Sequence, residues 1–311
     1  MTVPCPICGE MQSESALNVY GHIVVHCAEC GAFHLDPLPS EESVQAAYRR
    51  DDYFEGGRRE GYQNYEDMRK VILPHAYRRL RQISRQFANP GRLLDFGCAA
   101  GYFLEAAQSL GWRVAGVEIS PSMAERAAQR LRAPVVTSID NLPEKEFEVI
   151  TLWEVIEHLP RPLEVMQRLC KLLVPGGLLM LSTPNASHWQ VSREPQNWTG
   201  FRSIPLHVVF FTDSSLVTLL ERAGFQQITI LKTAPLPMLP HWFRRLSAPL
   251  EQSLSVGQAR PWLVALATWR AIRVLGWAWQ KATRPDDDIF ATLEAVAFRP
   301  KPLPQRAEVT T

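Results

Sequence analysis

The 311-residue chain has no excess of charge: 33 Lys and Arg stand against 32 Asp and Glu, a formal net charge of +1. With no field of one sign, nothing in the composition points to nucleic acid as a partner. Also missing is an uninterrupted run of about 20 apolar residues, the length a membrane-spanning helix needs. The opening MTVPCPICGE has neither a basic n-region nor an apolar h-region, which reads as a cytoplasmic protein without a secretory leader. Six cysteines, four of them in two close pairs, do not make a disulfide framework. Internal repeats and low-complexity tracts are absent. So are the G-x-G-x-x-G of dinucleotide sites and the Gly-Lys-Ser/Thr of a phosphate-binding P-loop, which disfavours pyrophosphate ligands.

What is present is the composition of a globular protein, 46% hydrophobic and 21% charged. From Gly91 onward, short apolar runs alternate with amphipathic helical runs, the signature of βαβ units. Strands are expected at 92–96, 113–118, 134–137, 147–153, 178–183, 225–232 and 291–298. The fold class that follows is α/β, a doubly wound, mostly parallel seven-stranded sheet. Composition shifts divide the chain further. Residues 1–40, rich in Cys, His and Gly, are too small for a core of their own. Residues 41–89 read as a helical connector or lid, with a helix start at Ser40 and a basic stretch from Met68 to Phe87 broken by Pro74. Residues 90–300 form the large domain, interrupted at 234–286 by an inserted helical pair, and 301–311 form a flexible tail.

Arg92-Leu93-Leu94-Asp95-Phe96-Gly97-Cys98-Ala99-Ala100-Gly101 runs from an apolar strand into a helix. Gly97 and Gly101 at that turn let backbone amides approach a ligand. Asp95 ends the strand, where its carboxylate can pair with a cationic amino group such as the amino-acid end of S-adenosylmethionine. The next apolar run ends at Glu118, placed to accept both hydroxyls of a ribose. The bland alternative is a capped strand-to-helix turn with Asp95 as its N-cap.

The run LLDFGCAAGYFLEAAQSLGWRVAGVEIS resembles the first two motifs of class I S-adenosylmethionine-dependent methyltransferases. FEVITLWEVIEHLPRPLEVMQRLCKLLVPGGLLMLSTPN at 147–185 is similar to the fourth strand, helix and Pro-Gly-Gly turn of their ubiquinone-biosynthesis O-methyltransferase-like branch. HVVFFTDSSLVTLLERAGF at 207–225 resembles the same branch. The resemblance covers roughly residues 90–233. It implies a Rossmann-like methyltransferase fold with Asp95, Gly97 and Gly101 at the methionine end, Glu118 at the ribose, and Ile119 on the adenine face. Ser138 and Ile139, or Asp140 in place of Ser138, would meet the adenine edge. The backbone around Leu152-Trp153-Glu154 would line the pocket. Such enzymes often carry glycine in the middle of the loop, where this chain has Ala99, whose methyl group would narrow the pocket.

Methyl transfer to a hydroxyl needs a base near the pocket. His158 and His207 are the candidates, each with the alternative of a hydrogen-bonded structural histidine. Glu157 could orient His158, bind a divalent ion or cap a helix. The aromatic segment 185–205, with Trp189, Trp198 and Phe201, reads either as a substrate lid or as a loop pinned by its tryptophans. Cys5, Cys8, Cys27 and Cys30 form C-x2-C, 18 intervening residues and C-x2-C, a spacing that suits four thiolates on a structural Zn2+ and resembles a zinc ribbon. His22, His26 and His34 are expected on the surface rather than as ligands.

The inserted run WLVALATWRAIRVLGWAWQKA carries tryptophans and basic residues that suit either contact with a membrane surface or packing in the domain or a homodimer. The preceding 237–250, with His241-Trp242-Phe243-Arg244-Arg245, adds to the membrane reading. The acceptor is expected to be a small molecule, a glycan or a lipid-linked compound, methylated on oxygen. Alternatives are a carbon or nitrogen methyltransferase on a sugar-type substrate, a nicotinamide-dependent oxidoreductase, and a catalytically inactive zinc-ribbon binding protein.

Overall fold

A computed structural model of the chain describes residues 4–11, 13–49, 65–235, 249–250, 252–254, 259 and 261–302. Residues 241–245 of the insertion and most of the tail read above lie outside these. The large sheet contains β4 (Arg92–Phe96), β5 (Arg113–Val117), β6 (Val135–Val136), β7 (Phe147–Trp153), β8 (Leu173–Pro184), β10 (Gln226–Pro235) and β11 (Phe290–Phe298). Its order is β10-β11-β8-β7-β4-β5-β6. Strands β6, β5, β4, β7 and β8 pair in parallel, while β11 is antiparallel to both β8 and β10. This is the seven-stranded, mostly parallel sheet expected from the apolar runs. The central strands are buried on both faces, so Leu93, Leu94, Val149 and Ile150 are fully enclosed and the sequence shows continuous rather than alternating apolar character.

Helices cover both faces: α3 (Tyr102–Ser109), α4 (Pro121–Leu131), α5 (Pro162–Leu172) and α8 (Asp213–Arg222). The chain leaves β4 toward β5 on one side and returns to β7 on the other. The order reversal therefore falls beside β4, where a crevice opens at the carboxyl ends of the strands. Strand β8 is longer than expected. It runs back through Pro175-Gly176-Gly177, with a register shift between Phe147↔Leu173 and Val149↔Leu178 and Gly176 at φ 80°.

Helices α1 (Glu41–Tyr48) and α2 (Arg69–Ser84) precede the sheet. Ser40 caps α1 by accepting from the Ser43 amide at 3.1 Å. Contrary to expectation, Pro74 does not break α2, which continues through it. An interior proline costs about 3 kcal/mol. Burial of Ala76, Leu80 and Ile83 against α3 and the sheet outweighs it, at roughly 1.5–3 kcal/mol for each large side chain.

The N-terminal segment forms β1 (Ser13–Val19), β2 (His22–Cys27) and β3 (Phe33–Leu35), all antiparallel. Their sheet takes its fourth strand, β9 (Val209–Phe210), from the large domain. Between β8 and β9 lie the short helices α6 (Trp189–Arg193) and α7 (Thr199–Arg202). The insertion after β10 contains, among its described residues, one long helix, α9 (Trp262–Thr283).

Candidate active site and metal centre

The crevice at the strand ends is the mouth of a cavity of about 900 Å³, large enough for a cofactor and part of a second molecule. Of the residues expected there, Asp95, Gly97, Glu118, Ile119, Ser138, Ile139, Trp153, Glu157, His158 and His207 all line it. Gly101 does not. With φ 77° it opens α3, and a Cβ there would come within 3.2 Å of Ala127 and 3.1 Å of Leu131, so its missing side chain serves helix packing. Asp140 also points away, exposed and paired with Arg168.

Asp95 is buried at the end of β4 and accepts a hydrogen bond from Thr151 Oγ1 at 2.7 Å; it is not an N-cap, since Gly101 holds that position on α3. Burial pushes its carboxyl up to about 7, against the pull of Thr151 and of the Arg79 guanidinium. A carboxylate held so far from water favours a cationic partner. Glu118 at the end of β5 accepts from the Ala99 amide at 2.8 Å on one oxygen and from the Ser120 amide at 2.9 Å on the other. Burial raises its pKa while backbone amides pull it back. With the Ile119 amide also on this carboxylate, one lone pair is left for a ligand hydroxyl.

The loop backbone is strained at the cavity wall. Gly97 has φ 80° and Ala99 φ 45°; a Cβ on Gly97 would lie 2.4 Å from a Val155 methyl. Ala99 in the left-handed region costs roughly 1–2 kcal/mol. That turn aims its amide at Glu118. Glu154, at the end of β7, is also left-handed at φ 55° and lines the same cavity. Such outliers concentrate where binding requires them.

Two side chains that sequence reasoning missed complete the lining. Arg79 lies 3.8 Å above the Trp153 ring and pairs with buried Glu294 at 3.1 Å. Its Nε and the Trp153 indole nitrogen have no hydrogen-bond partner. Arg79 belongs to a stripe of α2, Ile72, His75 and Arg79, that faces the cavity at helical spacing. The basic composition of 68–87 hid that stripe. The other is Tyr48, at the end of α1, whose hydroxyl lies 2.6 Å from His158 Nδ1.

Around the far end, His158 Nδ1 also lies 3.0 Å from the Leu206 carbonyl, and His207 Nδ1 lies 2.9 Å from the Gly200 carbonyl. A carbonyl only accepts, so His207 Nδ1 carries the proton and its Nε2 a lone pair, whereas the His158 ring is shared among the Tyr48 hydroxyl and the Leu206 and Glu154 carbonyls. The two rings meet edge to face at 4.6 Å. Burial lowers His158 to about 4 and holds His207 well below the usual imidazole range; both are neutral at pH 7. Glu157, buried and pushed well above the carboxylate range by burial, accepts from Thr183 Oγ1 at 3.0 Å, and its other oxygen has no partner. Ligand atoms of Glu157, His158 and His207 lie within 4.8 Å of one another.

The four cysteines converge as expected, their sulfurs all within 4.8 Å of one another. Cys5 and Cys30 sulfurs are 3.6 Å apart and Cys8 and Cys27 3.5 Å. These distances are far beyond a disulfide bond and close to the roughly 3.8 Å between sulfurs on a tetrahedral ion with Zn–S of about 2.3 Å. Gly9 and Gly31, at φ 81° and 76°, turn each pair. His22, His26 and His34 stay out of the cluster. His34, however, is buried, not on the surface, and its ring bonds the Leu35 carbonyl at 3.0 Å.

The aromatic segment is pinned, not a stacking platform. Trp189, Trp198 and Phe201 are buried. Trp198, Phe201 and Phe210 form a T-shaped cluster with centroids 4.6–5.8 Å apart, and Phe33 of the cysteine-bearing sheet packs against Phe201 at 6.5 Å.

Residues 66–230, more than half of the chain, match the family model described as a methyltransferase domain. The chain belongs to that family. Its fold is that of S-adenosylmethionine-dependent methyltransferases. A ubiquinone biosynthesis O-methyltransferase of Xanthomonas campestris pv. campestris is 35% identical over 117 residues, which is 34% of this chain and 49% of that protein. The chain therefore spans about half the length of such curated relatives. An S-adenosylmethionine-dependent methyltransferase from Archaeoglobus fulgidus shares the fold at TM-score 0.50 and 19% identity, covering 74% of this chain and 94% of its own. The phosphoethanolamine N-methyltransferase 2 of Haemonchus contortus, solved with phosphomonomethylethanolamine and S-adenosylhomocysteine, shares it at TM-score 0.54 and 16% identity, covering 86% of this chain and 63% of its own. Among the described residues no helix is long and apolar enough to cross a membrane.

Proposed function

We propose that the protein transfers a methyl group from S-adenosylmethionine to an oxygen of a small-molecule, glycan or lipid-linked acceptor. The observation that carries this reading is one cavity with two unlike ends. Asp95, Arg79 and Glu118 crowd one end with buried ionisable groups, and buried Glu157 with neutral His158 and His207 sit at the other. The residues fit the cofactor. Asp95 would take its ammonium group, the unpartnered edge of Arg79 its carboxylate, and Glu118 a ribose hydroxyl. Ile119, Ser138 and Ile139 would flank the adenine. The bound cofactor supplies an electrophilic methyl group. The chain's own work would be to align the acceptor oxygen and receive its proton, on the Nε2 lone pair of His207 or through the neighbouring His158 ring.

The Cys5, Cys8, Cys27 and Cys30 cluster would hold a structural Zn2+, since four thiolates leave no open position. A second reading of the far end has support of its own: Glu157, His158 and His207 supply one carboxylate and two imidazoles, a set suited to a divalent ion. Nothing in the cavity favours a nicotinamide.

The test is mass spectrometry of reactions with S-adenosylmethionine and a panel of phenols, hydroxylated sugars, amines and lipid-linked alcohols. A methylated hydroxyl product, lost in His207→Ala with cofactor affinity kept, supports the proposal. Methylated amines alone, or unchanged turnover in both His158→Ala and His207→Ala, would contradict it.

A further inference from the structure

Among the described residues, helix α9 packs on one side only. Trp262, Ala265, Leu266, Trp269 and Ile272 close over Leu250, Leu254 and Ala259, and buried Gly276 and Gln280 continue that face. The opposite side is apolar and open: Leu263 is 77% exposed, Val264 61%, Val274 62% and Leu275 72%. At 100° per residue these four fall within an arc of about 120°. Ala267, Ala271 and Ala278 fill the arc between them. Trp277 and Trp279, both exposed, stand at its two borders.

The charges on this helix have one sign. No Asp or Glu occurs between Trp262 and Thr283, whereas Arg270 falls between Trp277 and the arc and Lys281 at the arc's Leu263 edge. Lys281 Nζ lies 5.2 Å from the Trp277 ring. Of the three acids that follow, Asp287 pairs with Arg193 and Asp288 with Lys232 at 2.9 Å, while Asp286 is exposed beyond the helix end. A second copy docked through this face would set like charges against each other with no acid on either helix to compensate. An anionic lipid surface meets all three features, with hydrocarbon for the leucines and valines, the headgroup boundary for the tryptophans, and negative charge for Arg270 and Lys281.

We propose that α9 lies in the plane of an anionic bilayer surface with its Leu263, Val264, Val274 and Leu275 side buried among the lipids. The proposal stands apart from the methyl-transfer reading. It does place the membrane next to the cavity, because Lys70 Nζ on α2 lies 5.4 Å from the Trp262 ring and α2 forms one cavity wall.

The test is flotation of the full-length, zinc-replete protein with vesicles of phosphatidylcholine alone or of phosphatidylcholine with about one-third phosphatidylglycerol. The proposal predicts strong flotation with the anionic vesicles, weakened by salt, and little with phosphatidylcholine. The double variant V264E/L275E should lose at least about tenfold in partitioning. The double variant R270E/K281E should lose the preference for anionic vesicles. Both should keep the wild-type melting temperature and cofactor affinity. Absence of flotation by the wild type, or equal flotation by V264E/L275E, overturns the proposal. So does a wild-type dimer in light scattering that V264E/L275E dissociates without any vesicle binding, which would make the face a contact between copies. A large fall in melting temperature without a change in flotation would show instead that the chain's own residues cover it.

Discussion

At one end of the cavity Asp95, Gly97, Ala99 and Glu118 come from residues 95–118, a single βαβ step. At the other, Tyr48 comes from α1, Glu157 and His158 from the turn after β7, and His207 from the approach to β9. The first end is held by the large sheet itself. The second is held by pairing across the chain: Leu35 donates to the Val208 carbonyl at 3.0 Å, Val208 to the Glu157 carbonyl at 2.9 Å, and β3 pairs with β9. The cysteine-bearing sheet is thus part of the scaffold of the histidines. The Asp95 end is built from local geometry, whereas the histidine end is joined in register to the N-terminal module.

The largest expected effect separates the two ends. Structural zinc in small modules contributes about 10–16 kcal/mol of apparent binding energy that doubles as folding energy. Chelation, or Cys5→Ser with Cys27→Ser, is expected to remove one zinc per chain and abolish methyl transfer. S-adenosylmethionine affinity should stay within about threefold, under about 0.7 kcal/mol. Metal analysis with calorimetry checks this. Loss of cofactor binding in parallel would show that the two ends are not independent.

Next in size is Glu294→Ala. It leaves Arg78 and Arg79 without their buried partner on β11, and breaking such a pair costs about 3–5 kcal/mol. Urea denaturation should show that loss, and cofactor affinity should fall as Arg79 leaves the Trp153 ring. Tyr48→Phe removes one hydroxyl from His158, a hydrogen bond worth about 0.5–1.5 kcal/mol. Turnover should fall several-fold with cofactor affinity unchanged. Equal loss of both would place Tyr48 at the cofactor end. Smallest is Ala99→Gly, which relieves the left-handed alanine and should raise stability by at most about 1 kcal/mol. A fall in stability would mean that the methyl group packs usefully against the cavity wall.

The same contrast explains what the sequence made legible. All seven strands of the large sheet were marked by apolar runs bounded by turn residues, and Asp95 and Glu118 by their place at strand ends. The cysteine cluster was marked by spacing alone. Arg79 and Tyr48 were not, because a residue's place on a cavity wall depends on how its helix docks, and α2 runs through a proline that sequence rules take as a break. Trp198 and Phe201 resembled a stacking surface until β9 joined the cysteine-bearing sheet and closed an aromatic core around them. His34 was buried by the same pairing.

Titration calorimetry with S-adenosylmethionine at several pH values, on wild type and Asp95→Asn, tests the central claim most directly. Asp95 sits near 7 before a cation arrives, and only its ionised form attracts an ammonium group. Affinity should therefore fall as pH drops through 7, roughly 25-fold between pH 7.5 and 5.5. Asp95→Asn should bind more than about tenfold more weakly at pH 7.5 and lose that pH dependence. No binding to the folded wild type, or an affinity indifferent both to pH and to Asp95→Asn, would contradict the account.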